Sequence, residues 1–150
     1  DVKVATEFER KRRIKRAAYD NEEARYTKDR AALNVIKQNT IVSNEPLQVD
    51  DFDFGEELSN NIQIVKDVTN TENGYYLVIA VHEDVTKRDD FLTKVISSGK
   101  SDVDFFYDVN TSKYYIYSHK FDDLESAKST MESKNNAPYN SKMSMVKIEN

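Results

Sequence analysis

The chain has 150 residues, a net charge of −5, and 38% hydrophobic against 33% charged residues. That balance is lean for one compact globule, so part of the chain is expected to be solvated. Cysteine is absent, which excludes disulfides, cysteine-based zinc sites and thiol catalysis.

No apolar run reaches the length of a transmembrane helix. The opening Asp1-Val2-Lys3-Val4 lacks a start Met and a signal-like apolar core, as expected of a mature fragment. Charge divides the chain into three parts. Residues 1–44 carry 11 Lys/Arg against 7 acids, residues 45–73 one Lys against 8, and residues 74–150 carry 10 against 12. The expected organisation is therefore a basic helical arm (1–44), an acidic linker (45–73) and a near-neutral domain (74–150).

From Thr6 to Gln38 the absence of Gly and Pro, with abundant Ala, Arg, Lys and Glu, predicts one long helix. Ile14, Ala17, Asn21, Ala24, Lys28, Ala31 and Val35 trace a thin heptad seam, and Tyr19, Tyr26 and Leu33 form a competing stripe. Docking, a homodimer or helix-mediated assembly is expected of such a helix. The basic run Arg10–Arg16 suits an anionic surface, but Glu7, Glu9, Asp20, Glu22 and Glu23 flank it, and a charged helix face explains it as well.

Residues 39–73 read as irregular. Asn44-Glu45-Pro46 breaks the helix, and Asp50 to Glu57 alternates acids with Phe52 and Phe54. This stretch is either a solvated linker or a linear segment whose Phe52 and Phe54 dock in a groove of this domain or of a partner.

After Asn73-Gly74 the pattern becomes regular. Tyr75–His82 is a β-branched and aromatic strand. Asp84 caps a helix carrying Phe91, Leu92, Val95 and Ile96. Val103–Val109 and Tyr114–Ser118 form a hairpin, Asp122-Asp123 caps a second helix, and Met143–Ile148 is the last strand. The fold class is α+β: a β-α-β-β-α-β, ferredoxin-like domain with two helices on a four-stranded antiparallel sheet.

Strand alternation assigns Leu77, Ile79, Val81, Phe105, Tyr107, Ile116, Val146 and Ile148 to the helix-packed face. Tyr76, Val78, Phe106, Tyr115, Tyr117, Met143 and Met145 then fall on an open face. Such an aromatic patch is expected to be covered by the linker, the helix or a dimer mate, or to bind a peptide or glycan.

The two histidines, His82 and His119, end neighbouring strands without a metal-ligand pattern, and neither a metal nor another cofactor is expected. No phosphate-cradling glycine loop and no activated nucleophile is legible, so an enzyme is not expected. An RRM-like single-stranded RNA binder would stack bases on Tyr76, Tyr115 and Tyr117. The acidic linker and domain oppose it, and nucleic acid is not expected as a partner.

Tyr75–His82 and Tyr114–Phe121 (YYIYSHKF) begin the two halves and resemble the SPOR domain family. A closer resemblance runs through Asn73–Leu77, Asp104–Asp108, Lys113–Tyr117 and Pro138–Met143. It is to the SPOR-like C-terminal domains of Bacteroidetes cell-envelope proteins associated with gliding motility and type IX secretion, such as SprC and SprD. The resemblance implies a periplasmic or outer-membrane-associated location. It implies either peptidoglycan binding on the sheet face or a protein partner such as a PorP/SprF-type outer-membrane barrel. SPOR first strands usually carry a Gln and Gly-Ser-Phe where this chain has Val78 and Ala80-Val81-His82. That departure favours a non-catalytic module docking a protein partner.

Overall fold

A computed structural model describes the backbone of residues 2–150, and the side chains of these except residues 2–8 and 14–19. The chain divides into two compact units, residues 1–35 and 36–150. Helix α1 spans Val2–Asn39 and gathers little apolar character on any one side. Within the first unit, Arg25 donates to Asp29 at 2.6 Å and to Glu22 through Nε at 3.2 Å. Burial opposes the charge of Arg25, but its bonds to both carboxylates outweigh that and raise its pKa. Arg10–Arg13 are exposed, and Arg13 pairs with Glu9. The seam positions Ile14 and Ala17, with Tyr19, Lys15 and Arg16, lie outside the described side chains.

The second unit is an α+β domain on a five-stranded mixed sheet. Its strands are β1 (Gln63–Lys66), β2 (Gly74–His82), β3 (Asp104–Asp108), β4 (Lys113–Phe121) and β5 (Ser144–Glu149). Helices α2 (Val85–Ser97) and α3 (Leu124–Glu132) follow β2 and β4. The order is β1-β5-β2-β4-β3, with β1 parallel to β5 and every other pair antiparallel.

Residues 74–150 supply four of these strands, as their pattern predicts. The fifth is a correction: the expected irregular linker contains β1, so the sheet is neither four-stranded nor purely antiparallel. Residues 45–73 are thus part of this domain's architecture.

The caps explain where the helices begin. Asp84 accepts from the amides of Thr86 (2.6 Å) and Lys87 (3.3 Å), and Asp123 accepts from Ser126 N at 2.8 Å. Each satisfies orphan donors of a first turn and so fixes where a helix lands on the sheet. On that side Phe91, Leu92, Val95, Ile96 and Ala127 bury with Leu77, Ile79 and Ile116. Arg88 is wholly buried there, its guanidinium lying 4.6 Å from the Phe105 ring centre and 4.5 Å from that of Tyr114. Asp89 meets it at 2.9 Å, and the charge lies against the stacked pair of rings.

Candidate functional site

The other side of the sheet holds the residues expected to form an open binding surface. Tyr76, Val78, Phe106 and Tyr115 are buried there together, and Tyr117 is half-buried. Their rings interlock: Phe106 stacks on Tyr115 with centroids 4.9 Å apart, and Tyr76 meets Tyr117 edge-on at 4.8 Å. Burial pushes the Tyr76 hydroxyl up to about 12, and that hydroxyl donates to Glu72 O at 2.6 Å. Tyr115 is also raised, chiefly by burial.

This surface is not open. Val65 and Val68, contributed by β1 and the turn after it, belong to the same buried cluster, and Leu58 packs against it. The sheet curls far enough for Asn110, in the β3–β4 turn, to donate to Lys66 O at 3.4 Å, while Gln63 donates to the Tyr115 hydroxyl at 3.3 Å. The aromatic face is therefore the inside of a curled sheet, and the apolar alternation on the strands reports a second core.

Four facial assignments change with it. Met145 stands opposite Leu77, and Val146 opposite Tyr76, so Met145 lies on the helix side and Val146 and Ile148 on the inner side. Met143 precedes β5 and is buried beside a groove. Val81 joins the inner cluster because irregularities in the β2–β4 register around Val78 bring it opposite Tyr115.

The acidic segment before β1 runs over the domain as a strap. Phe52 and Phe54 lie 5.5 and 5.7 Å from Phe91, and Phe52 is 6.5 Å from Tyr139. Their groove thus belongs to this domain. Lys94 donates to Asp51 O at 2.7 Å, and His82 Nε2 donates to Asp53 O at 2.6 Å. Val81 N bonds Phe54 O at 3.1 Å and Glu56 N bonds Val81 O at 3.0 Å, a parallel bridge around Gly55. Gly55 has φ +71°, and a Cβ there would stand 1.8 Å from Val81 O, so only glycine fits.

Beyond this bridge the chain arches before reaching β1 and leaves a groove of about 710 Å³. Its walls are strap residues 52–60 on one side, and residues 78–81 of β2 with 141–144 on the other. Val78 and Met143 line it but are nearly wholly buried, and Lys134 and Lys142 add two cations to a mostly polar lining. Lys142 meets Glu57 across it at 3.3 Å, and Lys134 donates to Asn140 O at 3.2 Å. Sequence alternation had no means of finding this groove, because it depends on where the strap leaves the sheet.

The histidines are not brought together: His82 is opposite Tyr114 and His119 opposite Leu77, at different places along β2. Burial, aided by Lys100, lowers the pKa of His119 despite Asp102. Among the described residues, no helix is long and apolar enough to cross a membrane, and no cluster of three or more His or acidic residues suits a metal. No family model, curated protein or solved structure matches the chain.

Proposed function

We propose that this chain is a non-catalytic interaction module of a bacterial cell-envelope protein, and that it receives an extended segment of a protein partner in the groove beneath the strap. The carrying observation is the groove itself: a largely polar space of about 710 Å³ between the strap and β2, with Glu56, Glu57, Lys134 and Lys142 in its lining, within the size range of ligand sites. Extended chain already suits these walls, since Phe54–Glu56 pair with β2 through two main-chain bonds. The SPOR-like resemblance supplies the envelope setting, and with it a PorP/SprF-type barrel as the first partner to try. It would place glycan on the aromatic face, but Val65, Val68 and Leu58 fill that face, which favours a protein ligand.

A photo-crosslinking residue at Ser59, on the groove wall, tests this in the intact protein, with the same residue at exposed Val109 as the control. The expected result is a discrete protein adduct from position 59 alone, unchanged by muramidase and competed by the purified barrel. Muramidase-sensitive adducts, pelleting of the protein with sacculi, or equal adducts from both positions would contradict the proposal.

A further inference from the structure

We infer that residues 57–62 form a flap over this groove, and that Glu57-Leu58 occupies the seat of the partner's own side chains. The inference rests on the reading of the groove as a peptide site and names both the ligand chemistry and the gate. Both ends of the flap are held. On one side Phe54–Glu56 is tied to Val81, and Glu56 is clamped by Lys113 at 2.5 Å. On the other, β1 pairs with β5.

Between these anchors no main-chain bond joins residues 57–62 to the sheet. Glu57, Ser59, Asn60, Asn61 and Ile62 are exposed, and only Leu58 is partly buried, against the inner cluster. The flap's second attachment is the Glu57–Lys142 pair, whose side chains are 80% and 53% exposed, so it adds little. One partly buried leucine and one solvated ion pair are all that close this part of the strap.

The same two attachments define the occupant. An acid reaching Lys142, followed by a branched apolar residue reaching the seat of Leu58, reproduces what the flap does. The ligand is thus an extended peptide with an acidic residue preceding a branched apolar one. It competes with a tethered copy of its own motif, whose effective concentration is high because its ends are fixed.

The test uses the full chain and a fluorescent, end-blocked peptide spanning residues 54–62, alongside the same peptide with Glu57→Lys. Leu58→Ala in the protein is expected to tighten binding of the first peptide about tenfold, the worth of one partly buried leucine, and the charge-reversed peptide binds more weakly. Equal affinity for wild type and Leu58→Ala, equal affinity for the two peptides, or no binding to Leu58→Ala overturns the inference. An independent readout exploits the absence of cysteine. A thiol placed by Val78→Cys is labelled about ten times faster when Leu58→Ala is added, with an unchanged circular dichroism spectrum. An unchanged labelling rate also overturns the inference. If the Ser59 adduct forms but these results fail, the groove reading stands and the flap motif falls.

Discussion

The two sides of this sheet are both buried, but by different means. On one side α2 brings Phe91, Leu92, Val95 and Ile96, and α3 brings Ala127, against Leu77, Ile79 and Ile116, each helix started by an aspartate cap. On the other, a curled edge strand and an arching strap cover Tyr76, Phe106 and Tyr115 with Val65, Val68 and Leu58. Helical cover is cooperative, since each turn supports the next. Strap cover is carried by a few side chains and main-chain bonds, so parts of it can open separately. A groove lies along the strap-covered side where this cover is incomplete.

The largest expected effect belongs to the helix side. Phe91 is 1% exposed and meets Phe52 and Phe54 as well as the sheet core, so Phe91→Ala is expected to cost about 3–5 kcal/mol. Urea unfolding measures it, and a cost near 1 kcal/mol would mean that α2 is not the main cover. Val65→Ala, on the strap side, removes two methyl groups from the inner cluster and is expected to cost about 2 kcal/mol. A cost equal to that of Phe91→Ala would erase the distinction between the two covers.

The third effect is read from pH. The Tyr76 pKa is raised in the fold to about 12 from 10.0. Its contribution is therefore complete below pH 10 and is lost as pH rises through about 12, at most about 3 kcal/mol. Tyr76→Phe is expected to flatten the fall in stability over that interval, with a residual slope from Tyr115, whose pKa is also raised. An identical pH profile in the variant would show that Tyr76 is not sealed from water.

Much of the domain was legible in the sequence because its signals are local. The run from Tyr75 to His82 and the caps at Asp84 and Asp123 lead to β2, α2 and α3 within a residue or two of their observed bounds. What was not legible depends on distant partners. β1 is the four residues Gln-Ile-Val-Lys within an acidic stretch, and it becomes a strand only because β5 lies alongside. Adjacent Met145 and Val146 are both apolar, so alternation cannot say which points inward, and pairing with β2 decides it. The β2 irregularity that turns Val81 inward carries no local mark. The candidate site shares this limit: Phe52, Phe54, Val78 and Met143 all line the groove, yet the groove exists only once the strap has crossed the sheet.

The strap, seated by Phe52 and Phe54 on Phe91 and by Leu58 on the aromatic cluster, is expected to open separately from the sheet. Native-state hydrogen exchange tests it most directly. The amides of Val81, bonded to Phe54 O, and Glu56, bonded to Val81 O, are to be compared with those in the β2–β4 ladder. The first two are expected to exchange through a smaller opening, with lower free energy and weaker denaturant dependence, while the ladder waits for global unfolding. If all of them exchange with the same free energy and the same denaturant slope, the strap is part of one indivisible core and does not open by itself.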